Sequence, residues 1–128
     1  MTSDEGSMAL AMCGVLVVIA VLSVAVSGLA TAYAARAQAA NAADSAALAA
    51  AVATYPPATT GAPLVMARAA ARANGAVVVS CDCAVDHGLR ARIVEVVVMI
   101  PIDLPIFGAR QVSGAARAEF DPIDWLGG

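Results

Sequence analysis

The chain has 128 residues, 61% of them hydrophobic and 13% charged, with seven Arg, no Lys and a net charge of −3. That balance leaves no basic patch for a nucleic-acid backbone, and 4% aromatic residues offer no stacking or sugar-binding platform. The length allows a membrane segment plus one domain of about seventy residues, a size whose core is marginal alone and gains from a partner or a membrane.

From Gly6 to Ala35 there is no charged side chain. The centre of this stretch, Leu10 to Leu29, is twenty residues long, which as a helix spans roughly 30 Å, the thickness of a bilayer's hydrocarbon core. Backbone groups in lipid must be paired within their own segment, so a lone span has to be helical. A cleaved signal peptide fits poorly: it needs a basic leader and a shorter apolar core, whereas Asp4 and Glu5 precede this span. A lipoprotein anchor at Cys13 fails because Met12 is too large for the residue before such a cysteine. Asp4, Glu5 and Ser7 instead suit the first turn of a helix. The chain reads as membrane-anchored.

No stop signal follows the span. Residues 31–53 contain neither Gly nor Pro and are dominated by Ala, the best helix former. One continuous helix from about Ser7 to Ala53 is expected, half in lipid and half projecting. Tyr55-Pro56-Pro57 ends it, because proline cannot continue the hydrogen-bond ladder.

Gly6-Ser7 opening an apolar span, followed by Ala34-Ala35-Arg36-Ala37-Gln38-Ala39-Ala40-Asn41-Ala42-Ala43-Asp44-Ser45-Ala46-Ala47-Leu48, resembles the N-terminal helix of TadE/TadG-like proteins of tight-adherence (Flp, type IVc) pilus systems. The short chain with a valine-rich C-terminal part is most similar to the actinobacterial TadE-like branch. The resemblance covers about the first fifty residues. It implies a pilus-assembly or secretion component with its N-terminus in the cytoplasm and its bulk outside. It also implies a prepilin-type cleavage site at Gly6-Ser7. Two features depart from that pattern: the leader is acidic, and Ala11 stands where such precursors carry a Glu. The Gly6-Ser7 bond is therefore expected to stay intact or be cut inefficiently. Arg36 taken alone, by the positive-inside rule, votes for the opposite orientation; one Arg is outweighed by the resemblance.

Ala58 to Pro63 has linker composition. Leu64 to Ala73 has helical character, with Leu64, Val65, Ala67 and Ala71 on one side and an Asn74-Gly75 stop; Arg68 and Arg72 form a solvated face. Ala76 to Cys81 reads as a strand and Asp86-His87-Gly88 as a turn. Arg90 to Ile100 is a longer, central strand. Pro101, Pro105 and Gly108 form the next connection. A third strand runs from about Arg110 to Phe120, with a bulge at Ser113-Gly114, and Asp121 to Gly128 is a loose tail. The expected fold is α+β: a transmembrane helix continuing into a long Ala-rich helix, a short helix and a three-stranded antiparallel sheet, which is pilin-like in architecture. The expected divisions are a leader 1–6, the long helix 7–54, a linker 55–63, an exported helix-plus-sheet domain 64–120 and a tail 121–128.

Candidate chemistry is sparse. Cys81, Cys83 and His87 could supply three soft metal ligands, but a fourth is missing. A structural disulfide between Cys81 and Cys83 is one alternative, two plain strand residues another; His87 beside Gly88 reads as a turn residue. No Ser/His/Asp set, carboxylate pair or phosphate loop is evident. The expectation is no catalytic activity, no cofactor, no metal and no small-molecule substrate. In steps of four and three, Gly28, Ala32, Ala35, Ala39, Ala42, Ala46, Ala50 and Ala53 form a stripe of small residues along one side of the helix. In lipid such a stripe allows close helix–helix approach; the alternative is that its outer half packs on the chain's own sheet. Three functional classes remain: a minor pilin-like structural or assembly subunit, a signal-anchored binding module, and a small redox or metal-handling membrane protein. The first is preferred, with the membrane and other pilin-like or pilus-assembly membrane proteins, or further copies of the chain, as partners.

Overall fold

A computed structural model describes residues 3–104 and 106–127. Helix α1, Ser3–Ala53, is 51 residues long, roughly 77 Å at 1.5 Å per residue. It begins four residues before the expected Ser7 and ends at the expected Ala53. Three hydroxyls in its apolar half bond back to the carbonyl four residues earlier: Ser23 Oγ to Ile19 O at 2.8 Å, Ser27 Oγ to Ser23 O at 2.8 Å and Thr31 Oγ1 to Ser27 O at 2.9 Å. Each finds an acceptor within its own helix, as a hydroxyl in lipid must. At the far end Thr54 N still reaches Ala50 O at 3.0 Å, and Thr54 Oγ1 reaches Ala51 O at 2.6 Å before Pro56 and Pro57 stop the ladder.

Helix α2, Pro63–Ala73, starts one residue before the expected Leu64, because proline's fixed φ and missing N–H suit the first helical position. It ends in a Schellman motif. Gly75 takes φ +72°, Gly75 N donates to Arg72 O at 3.0 Å, and Ala76 N donates to Ala71 O at 2.9 Å. Gln38 Nε2 donates to Asn74 O at 3.0 Å, pinning this corner to α1. Pro63, Ala67 and Ala71 are buried. Leu64 and Val65 are exposed rather than on the packed side, since the inward stripe at a spacing of four is taken by Pro63, Ala67 and Ala71.

Three strands follow as an antiparallel meander, β1 (Val77–Asp82), β2 (Arg92–Leu104) and β3 (Gly108–Phe120), with β2 central. The bulge expected at Ser113-Gly114 is absent: β2 and β3 keep one register from Arg92↔Phe120 to Leu104↔Gly108. The irregularity lies instead in β1, between Val78 and Ser80. One extra residue there reverses the alternation, so Val78 and Cys81 both face the core while Val79 is exposed. Gly114 serves a different purpose. A Cβ built there would lie 2.4 Å from Ala39 O and 2.5 Å from Ala39 C, so the glycine lets the backbone of β3 approach that of α1.

Strand β2 also runs past Pro101 to Leu104, where a connection was expected. β1 pairs with β2 only as far as Met99, so from Pro101 onward β2 has a free edge, and proline's missing N–H costs no ladder bond on that side. Pro105, also assigned to the connection, lies outside the described residues, as do Met1 and Thr2 of the leader. The tail is not loose: α3, Pro122–Gly127, is a short helix with Pro122 buried and Trp125 edge-on to Tyr55, ring centroids 6.3 Å apart.

The core lies between the second half of α1, α2 and one face of the sheet. It joins Ala39, Ala42, Ala43, Ala46, Ala47, Ala50 and Ala51 of α1 to Ala67 and Ala71 of α2. The sheet supplies Val94, Val96, Val98, Ile100, Ala116, Ala118 and Phe120. Small residues facing branched ones give close helix-to-sheet spacing with few bulky side chains.

Candidate functional site

Helix α1 changes character along its length. From Met8 to Leu29 its large apolar side chains are bare, among them Leu10, Leu16, Ile19, Leu22 and Leu29. Left in water, each would cost about 1–3 kcal/mol relative to burial. From Ala35 onward one face is covered by the rest of the chain. Residues Gly6–Ala53 form one helix, apolar enough over its first half to cross a membrane. With no charge between Gly6 and Ala35, the chain is membrane-anchored through this segment. Gly6 and Ser7, the candidate processing pair, lie inside the helix and are exposed.

The small-residue stripe is divided by the same boundary. Ala35, Ala39, Ala42 and Ala46 are buried, with Ala50 and Ala53, and they are covered by the chain's own sheet and α2, the alternative weighed for the outer half. Gly28 and Ala32 are half-buried. Gly28 lines an apolar groove of about 490 Å³ with Val21, Val24, Leu29, Leu104 and Phe107. A leucine at 28 would enter that groove as well as any helix–helix contact.

Residues 6–53 match the family model described as Flp pilus-assembly TadE/G-like. Over its membrane helix, the chain is similar to that family. Neither the curated proteins nor the solved structures gave a match. The match begins at the first residue of the charge-free run and stops where α1 stops, so it covers the anchor together with the helical half of the small domain. The family description names a pilus-assembly component and not an enzyme class. What the match shows is a likeness of this helix to that family.

Beyond the TadE/G-like helix, one arginine organises the loop between β1 and β2. The Arg92 guanidinium donates to the carbonyl oxygens of Thr54, Asp86, Gly88 and Arg90, and it lies 5.9 Å from the Tyr55 ring centroid. Asp86 N adds a bond to Thr54 O at 2.9 Å. Five fixed donors suit Arg to gathering carbonyls in this way. The loop is thereby tied to the end of α1. The sequence signalled none of this; Arg92 read only as a strand residue.

Within that region Cys81 and Cys83 are joined by a disulfide, with Cα atoms 5.4 Å apart. His87 is exposed in a turn closed by Gly88 N donating to Asp86 Oδ1 at 2.7 Å. Among the described residues, no three of His, Cys, Asp and Glu are grouped to hold a metal ion, so the structure does not bring the Cys-x-Cys-x3-His set together. Cys13 is a free thiol on the bare part of the helix. In denaturing detergent, a maleimide is expected to add one label per chain without reductant, at Cys13, and three after reduction. Three labels without reductant would show Cys81 and Cys83 as thiols.

Proposed function

We propose that the chain is a minor pilin-like structural or assembly subunit of a tight-adherence pilus or a related secretion apparatus, with the end before the span in the cytoplasm and the helix-plus-sheet domain outside. The observation that carries this reading is one unbroken helix whose first half is bare and apolar and whose second half is the spine of a small α+β domain. Such a part brings no catalytic constellation among its described residues. It offers a membrane segment for lateral packing and a domain held rigidly above it. The Cys81–Cys83 bond supports the outward placement, since disulfides persist in oxidising compartments.

A second reading, a signal-anchored binding module, draws on the sheet face turned away from α1. There Val77, Val79 and Ile93 are exposed, with a surface ion pair, Arg117 to Glu95 at 2.6 Å, that is worth little by itself. Crosslinking and affinity isolation of the tagged full chain from its native membranes separates the two. The assembly reading expects recovery of other single-span, pilin-like proteins of the same apparatus, crosslinked through the residue 8–29 segment. Recovery of the chain alone, or with a soluble protein crosslinked only to the sheet, would overturn it.

A further inference from the structure

The β2–β3 hairpin reaches back along α1 to the membrane-spanning segment. Its base lies near the end of α1, where Phe120 faces Tyr55 with ring centroids 6.3 Å apart. Thirteen residues of β2 extend roughly 43 Å at 3.3 Å each. The same distance back along the helix from Tyr55, at 1.5 Å per residue, ends near residue 26. The contacts agree with this arithmetic: Leu104, Ile106 and Phe107 of the tip line one wall of the apolar groove, and Val21, Val24, Ala25, Gly28 and Leu29 line the other.

We propose that this tip is a second membrane contact: Leu104, Ile106 and Phe107 enter the leaflet on the domain's side, and lipid acyl chains fill the groove between the tip and α1. Three further observations support lipid as the occupant. The opposite wall is the bare part of the helix, whose surroundings at that height are hydrocarbon, so whatever lies in the groove is continuous with the bilayer. The tip is the most apolar turn of the domain: Ile106 is 83% exposed and Phe107 68%, and no charge falls between Asp103 and Arg110. Those two charges set the depth. Asp103 pairs with Ala109 and Ile102 with Arg110, which puts both charges within about 10 Å of the turn. The tip therefore reaches the headgroup–acyl boundary and no further, about 5–10 Å deep, and the Arg110 stem can lie along it with the charge in water.

The backbone adds a separate argument. Ile106 adopts φ +77°, a left-handed conformation that is a genuine outlier for a β-branched residue. A turn facing water would relieve this with Gly or Asn. An isoleucine held there puts a large apolar group at the extreme end of the hairpin.

The test uses the full chain carrying Phe107→Trp and Trp125→Phe, so that the probe is its single Trp. It is reconstituted in phosphatidylcholine vesicles at low protein-to-lipid ratio, with flotation confirming that the anchor has inserted. The proposal expects blue-shifted emission, several-fold stronger quenching by lipids brominated high on the acyl chain than by acrylamide in the water, and no change on further dilution in lipid. Emission typical of water with efficient acrylamide quenching overturns it. A blue shift that disappears on dilution assigns the tip to a second copy and also overturns it. If Trp125→Phe loosens the domain, the difference between Phe107→Trp and the unsubstituted chain gives the same reading.

Discussion

Gly114→Val is expected to unfold the small domain while leaving the chain in the membrane. The first added carbon alone would stand 2.4 Å from Ala39 O and 2.5 Å from Ala39 C, and these are backbone atoms that no rotamer change can move aside. Inserting methylenes into a packed core usually costs about 1–3 kcal/mol and more where nothing yields; here α1 and β3 must separate, which strips the Ala-lined core of its partner strand. A domain of this size has on the order of 5–10 kcal/mol in all. The measurement is thermal unfolding of the detergent-solubilised chain by circular dichroism, with Ser113→Val beside it. Ser113 is exposed, and valine suits a strand, so that variant should melt near the unsubstituted protein. Equal melting of the two variants would show that α1 and β3 do not approach so closely.

The second large effect concerns the anchor. Eleven Leu, Ile and Val residues between Leu10 and Leu29 favour insertion by roughly 3–6 kcal/mol at about 0.3–0.6 each, and one Arg at the centre opposes it by about 3. Val18→Arg alone should therefore remain inserted, with a reduced membrane fraction. Val18→Arg combined with Leu22→Arg should tip the balance and release most of the chain to the carbonate-soluble fraction. A double variant that stays membrane-bound would mean that another part of the chain carries the anchoring.

The long helix was legible because two independent signals agreed along it: the charge-free length from Gly6 to Ala35, and an Ala-rich run to Ala53 with no Gly or Pro to break it. The order of elements followed from the change of period after Gly75 and from the proline and glycine punctuation. Misreadings occurred where local sequence depends on a distant neighbour. Pro101 read as a breaker, since nothing in the sequence says that β1 has already stopped pairing beside it. Gly114 read as a bulge because a glycine in a strand has two causes, and the actual one is Ala39, seventy-five residues earlier in the chain. Asp121 to Gly127 read as loose because Tyr55, against which Trp125 packs, is brought beside it only by the fold. Arg92 was invisible for the same reason: the carbonyls it gathers belong to the end of α1 and to a loop without a pattern. The stripe from Gly28 to Ala46 read as a row of small residues, and sequence alone did not say that its outer half, from Ala35, is covered by the chain itself.

The unbroken passage of α1 from lipid into the domain fixes an angle as well as a height. No loop intervenes at which the domain could swivel, so its bearing around the helix axis depends on the number of residues between the span and Ala35. Each residue in an α-helix turns the chain by about 100° and advances it by 1.5 Å. Adding one residue between Leu29 and Ala35 would swing the whole sheet more than a quarter turn and carry the hairpin tip to another side of the span. If many such helices stood side by side in one assembly, every sheet would face the same way relative to its own membrane segment, and a twist applied at the membrane would arrive undiminished at the domain.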